Sequence, residues 1–108
     1  MLEEWRRRID EIDEQIVKLL GERTRLALQI GREKRSRNLP LRSPERELEV
    51  LARVTQAGNY TPLSTEAILK IYRTILEETH RLQEKDARRS HPAGGTDAEA
   101  DETSPRGA

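Results

Sequence analysis

The chain has 108 residues, 37% of them charged and 3% aromatic, with twenty basic side chains against twenty acidic ones and no cysteine. That allows one small domain with a core of Leu, Ile and Val; it excludes disulfides, thiolate chemistry and a cysteine-held metal, and the zero net charge argues against a nucleic-acid binder held by bulk electrostatics. No apolar run approaches the ~18 residues of a membrane span, and the charged start MLEEWRRRIDEID carries no signal-peptide core, so a cytoplasmic protein is the expectation.

Residues 3–36 predict one long helix. Apolar residues recur at alternating steps of three and four, at Leu2, Trp5, Ile9, Ile12, Ile16 and Leu19, then at Leu26 and Ile30, with charge on the other faces. The stretch has no proline, and its glycines are Gly21 and Gly31. Asn38 and Pro40 in RSRNLPLR stop the helix. In SPERE, Ser43 suits the N-cap of a second helix, Pro44 its first position and Glu45 the positive end of its dipole. Leu48, Leu51 and Val54 give that helix an apolar face as far as Gln56. AGNYTPL predicts a loop, and Ser64 caps a third helix, whose stripe runs through Ile68, Tyr72, Ile75, Thr79 and Leu82 and which fades near residue 86. Residues 87–108 hold almost nothing apolar. They cannot offset their ordering entropy and are expected to form a disordered tail behind a helical domain of residues 1–86.

The first helix sets the assembly. About 34 residues at ~1.5 Å rise make it ~50 Å long, well beyond the width of a compact domain of this size. Two shorter helices cannot cover such a stripe on all its sides. The expected architecture is all-α, with three helices per chain and a homodimer in which the long helices pack against each other.

Polar residues occupy positions that the pattern reserves for apolar ones. The rhythm between Leu19 and Leu26 is completed by Arg23. Either its stem lies in the core while its head reaches solvent, or an anion pairs with a charge that would otherwise be costly to bury. Lys34 lies eleven residues on, within ~20° of a full rotation and ~16 Å along the axis, so the two long side chains can converge on one small ligand. Arg6 is ~25 Å from Arg23 and ~100° around the helix, too far to join the same site from the same chain. On the third helix Thr79 takes a stripe position and Gln83 follows one turn later. Arg46 and Glu47 follow the cap of the second helix. Singly, each reads as an edge polar or a solvated charge. Together they are cations, a hydroxyl, an amide and one carboxylate, a set suited to a small polyanion with an ether or hydroxyl to orient. There is no nucleophile with its base and no metal cluster; His80 lies beside the stripe and His91 in the tail, each too isolated to supply either.

Over roughly residues 3–85 the chain resembles the all-α (AroQ-class) chorismate mutases, in their bacterial, monofunctional form. The matching pieces are WRRRIDEID, ERTRLALQIGREK, PLRSPERE and IYRTILEETHRLQ, in the right order and at the right separations. The resemblance implies an entwined homodimer of three-helix chains that converts chorismate to prephenate, at the branch toward phenylalanine and tyrosine, with no cofactor and no metal. It implies that Arg23 and Arg6 bind the two substrate carboxylates, with Arg6 coming from the second chain. Lys34 and Gln83 reach the breaking ether oxygen, and Lys34 also touches a carboxylate. Glu47 takes the ring hydroxyl with help from Ser43, Arg46 supports a carboxylate through water, and Thr79 hydrogen-bonds near a carboxylate. Lys34, Gln83 and Arg23 are the expected catalytic groups. Two positions depart from the pattern: 43 is often Asp in the family and is Ser here, and 79 is Ser in some members and Thr here.

Two other functions fit the same residues. An isochorismate-pyruvate lyase on the same fold would use a similar cationic pocket; Glu47 and the complete Lys34/Gln83 pair favour the mutase. A non-catalytic helical dimerisation module would use the polar stripe residues to set register. No regulatory, aldolase or dehydratase domain is recognisable, so control is expected only from a partner enzyme.

Overall fold

The computed structural model describes residues 1–89, and these form three α-helices. They are α1 (Leu2–Ser36), α2 (Pro44–Gly58) and α3 (Thr65–Arg89). The all-α expectation holds, and the starts of α2 and α3 follow the caps that the sequence offers. Ser43 Oγ accepts from the Arg46 N–H at 3.3 Å and Ser64 Oγ from the Ala67 N–H at 3.1 Å, each satisfying a donor that a helix start leaves unpaired. The end of α1 is equally local. Asn38 takes a left-handed conformation, φ 59°, which asparagine tolerates better than most residues. The turn lets the Leu39 N–H reach back to the Lys34 carbonyl at 2.8 Å.

Two boundaries differ from the sequence reading. Helix α2 continues through Ala57 and Gly58 into the expected loop. There Gly58 is buried against Ile68, whose Cγ1 would lie 2.9 Å from an added Cβ, so the close approach of α3 explains the glycine. Helix α3 runs to Arg89, three residues past the expected fade. Ala87 is a good helix former, and Arg88 and Arg89 suit the negative end of the dipole. Residues 90–108, the rest of the expected tail, and His91 with them, lie outside the described residues.

Helix α3 packs on both α1 and α2, while the backbones of α1 and α2 stay apart. The assembly measures 58 × 32 × 14 Å. Its thinnest dimension is less than half of the next. A layer that thin has almost no interior. Among the described residues Leu76, at 8% exposure, is the sole buried apolar side chain.

Helix α1 divides its labour between two faces. Leu20, Thr24, Ala27, Leu28 and Gly31 are wholly or partly covered; small residues among them let α3 come close. The large apolar stripe points elsewhere. Trp5 is 59% exposed and Leu26 60%, and Ile9, Ile12, Ile16, Leu19 and Ile30 are exposed as well. Periodicity therefore located the helix, but within one chain the stripe is not what α3 buries.

Candidate active site

Because the backbones of α1 and α2 stay apart, a cavity of about 300 Å³ remains between them against α3. Its lining includes Arg23 and Lys34 from α1, Ser43 at the cap of α2, Arg46 and Glu47 from α2, and Thr79 and Gln83 from α3. Of the eight site residues expected from the sequence, Arg6 alone does not line it; it is exposed near the far end of α1. Leu26, Ile30, Leu41 and Leu76 supply apolar wall. Three cations face one carboxylate, so the cavity is electropositive and suits an anion.

Internal hydrogen bonds hold several of these groups. An Arg23 Nη1–H donates to Thr79 Oγ1 at 3.1 Å, and the Thr79 hydroxyl donates its one hydrogen to the Ile75 carbonyl at 2.9 Å. Thr79 is thus an acceptor toward Arg23 with no hydrogen left for a ligand. Lys34 Nζ donates to the Leu41 carbonyl at 3.0 Å, which ties the α1–α2 loop over the cavity end. Gln83 is the most buried polar residue described, at 5% exposure. Its Nε2 donates to the Ala27 carbonyl at 2.7 Å, and a carbonyl can accept only from the amide's nitrogen, so the orientation of this amide is fixed by chemistry. The second Nε2 hydrogen stays available. The Gln83 side chain packs over Gly31, where an added Cβ would come within 3.4 Å of its Cγ.

One turn beyond Gln83, the Asp86 carboxylate accepts from Arg32 Nε and Nη2, both at 2.9 Å, and from Arg35 Nη2 at 3.5 Å. Burial pushes the Asp86 carboxyl up, but the hydrogen bond and charge of Arg32, with Arg35 behind it, more than offset this and hold it below its ordinary value. This clamp fixes α1 to α3 at the Lys34 end of the cavity.

Sequence reasoning missed His80. It lines the cavity, its side chain is 13% exposed, and its Nε2 is hydrogen-bonded to Glu47 Oε2. The signal was present in the spacing Leu76, His80, Gln83, steps of four and three that put all three on one face. A stripe drawn only through Tyr72, Ile75, Thr79 and Leu82 passes beside it.

Residues 5–84 match the family described as chorismate mutase type II. The chain belongs to that family. Among curated relatives, it is 40% identical over 89 residues to a bifunctional chorismate mutase/prephenate dehydratase of Aquifex aeolicus, covering 78% of this chain and 24% of that protein. It is 32% identical over 84 residues to a chorismate mutase of Methanocaldococcus jannaschii, covering 78% of this chain and 85% of that one. The solved structure of chorismate mutase (form II) from Thermus thermophilus superposes with a TM-score of 0.72 at 36% identity, over 77% of this chain and 93% of that chain. The chain thus spans about a fifth to a quarter of the length of the bifunctional relatives and most of the length of the Methanocaldococcus jannaschii protein. The three helices of this chain follow the fold of that solved structure, and no helix among its described residues is long and apolar enough to cross a membrane.

Proposed function

We propose that this chain is a chorismate mutase, rearranging chorismate to prephenate within the α1–α2–α3 cavity, and that its working unit is a homodimer. The observation that carries the reading is the convergence, in a member of this family, of Arg23, Lys34, Arg46 and the oriented Gln83 amide on one small electropositive cavity.

The chemistry needs only what these residues supply. The rearrangement is unimolecular, so the enzyme must hold a flexible dianion in its folded, reactive shape. Arg23, braced by Thr79, clamps one carboxylate, and positioning of this kind removes much of the entropic part of a barrier. As the carbon–oxygen bond breaks, negative charge grows on the ether oxygen. Lys34 and the second Nε2 hydrogen of Gln83 meet that charge. Donors already in place when the charge develops need no reorganisation, and each such donor is worth ~3–4 kcal/mol. Glu47, beside the cap residue Ser43, accepts the ring hydroxyl, and Arg46 supports a carboxylate.

On this reading Arg6 of a second copy clamps the second carboxylate, and the uncovered apolar face of α1 supports such a pairing. Ile16, Leu19, Leu20, Ile71, Tyr72 and Ile75 line an apolar groove of about 670 Å³, bordered also by Arg23. Seating the α1 stripe of a second copy there would cover apolar surface on both chains, and Arg23 at the groove's border is where that copy's Arg6 would be needed. The same pairing supplies the core that a layer 14 Å thick lacks. On this reading residues 1–86 are the catalytic domain and the enzyme works in the cytoplasm.

The test is turnover: incubation with chorismate, absorbance followed at the substrate band, and the product identified. Prephenate is the expected product, with a loss of about 10²–10³-fold in kcat for Lys34→Ala. Unchanged chorismate would refute the reading, and pyruvate released from isochorismate in its place would move the assignment to the lyase.

A further inference from the structure

We propose that His80 is a positioning residue that holds the Glu47 carboxylate ready to accept the substrate hydroxyl; the functional half of this proposal rests on the mutase reading above. Glu47 stands in the first turns of α2 and His80 on α3, so their contact crosses the cavity wall between two helices. A glutamate side chain free at that edge would sample several rotamers, and binding would have to order it. The contact with His80 fixes it beforehand.

The details of the contact favour this role. An ionised carboxylate only accepts, so His80 Nε2 carries the hydrogen of the bond. His80 Nδ1 is buried without a partner, which suits a bare ring nitrogen far better than an N–H. With Nε2 as donor and Nδ1 unpartnered, the contact matches an Nε2–H ring that orders Glu47 through a donated hydrogen bond. Both His80 and the Arg42 guanidinium, the latter at 3.8 Å, address the same oxygen, Oε2. Oε1 is left to receive a hydroxyl hydrogen. Arg42 is 58% exposed and contributes a screened charge, so His80 is the group that sets geometry.

Because only the ordering of a binding group is lost, His80→Leu should raise KM for chorismate about tenfold while kcat stays within about twofold. His80→Gln, which can return an amide N–H near the position of Nε2, should recover most of that loss. Arg42→Ala should shift KM by less than about threefold. In a Glu47→Ala background, His80→Leu should add nearly nothing, because the two residues then act through one contact. A His80→Leu loss that persists undiminished in the Glu47→Ala background, or that His80→Gln does not relieve, overturns the proposal.

A readout free of turnover separates this from the mutase reading. Long-range ¹H–¹⁵N spectra of the His80 ring should show the Nε2–H tautomer in the wild-type protein and a changed tautomer balance in Glu47→Ala. An identical ring spectrum in the two proteins would overturn the contact itself, whether or not the protein turns over chorismate. A changed spectrum in a protein inactive on chorismate would keep the contact and refute the mutase reading alone.

Discussion

Replacing Gln83 by Glu exchanges one NH₂ group for an oxygen in a buried place, beside a backbone carbonyl that needs a donor. The Gln83 amide nitrogen lies 2.7 Å from the Ala27 carbonyl oxygen. A carboxylate there would set two acceptors against each other, in a side chain that is 5% exposed. Burial and the facing carbonyl both raise the carboxyl above its ordinary value. While protonated, it can donate one hydrogen, either to Ala27 or to the ether oxygen, where the amide serves both. Ionised, it donates none and repels the charge that develops in the transition state. Losing the donor costs ~3–4 kcal/mol, or about 10²–10³-fold in kcat. Gln83→Glu should therefore be within about tenfold of wild type near pH 5 and about 10²–10³-fold below it near pH 8, read as the ratio of chorismate turnover by the two proteins. Stability should follow the same sign: a carboxyl raised in the folded state contributes fully below its unfolded value and loses that contribution as pH rises through the folded one. A mutant-to-wild-type ratio that is flat with pH would remove Gln83 from the ether-oxygen role.

Three further outcomes rest on the contacts that tie α1 to α3. Thr79→Val removes the acceptor that holds Arg23 and should lower kcat/KM about 5–20-fold, while Thr79→Ser should stay near wild type, as expected for a hydrogen bond to a charged group worth ~1.5 kcal/mol; equal activity of the two would refute the bracing. The Asp86 carboxyl is lowered in the folded protein, so its contribution is fully present above the unfolded value near 4 and is lost as pH falls through the lower folded one; the melting-temperature gap between wild type and Asp86→Asn should be open at neutral pH and narrow near pH 3, and a gap independent of pH would refute the clamp. A chain ending at Arg89 should keep its melting temperature and turnover, whereas one ending at Lys85 loses Asp86 and should melt about 5 °C lower, taking ~1 kcal/mol for a clamp whose Arg32 is partly exposed; equal melting temperatures would refute it.

The helices were legible because their signals are local. Three-and-four spacing, Ser43 with Pro44, Ser64 and the stop at Asn38 each act within a turn or two of their own position. That Arg23 and Lys34 line one cavity was legible for a related reason: they share one helix, so rotation per residue places them without any tertiary knowledge. Contacts between helices were not. That His80 meets Glu47 depends on how α2 lies along α3, and no spacing within either helix encodes it. The two faces of α1 were also hidden, since hydropathy marks the strongest stripe and passes over the weaker one of Ala27, Leu28 and Gly31 that α3 uses. The end of α3 was read from a change in composition, whereas Asp86 holds the helix there through Arg32 and Arg35 on another element.

Each active site should be built from two chains, and one mixing experiment tests this directly. Arg6→Ala and Lys34→Ala should each be nearly inactive alone. Unfolded and refolded together, they form mixed dimers in which two-fold symmetry leaves one site intact and one doubly damaged. With random pairing about half the dimers are mixed, so activity should return to roughly a quarter of wild type per chain. No recovery, with mixed dimers confirmed by native mass spectrometry, would contradict a shared site and remove Arg6 from its partner's cavity.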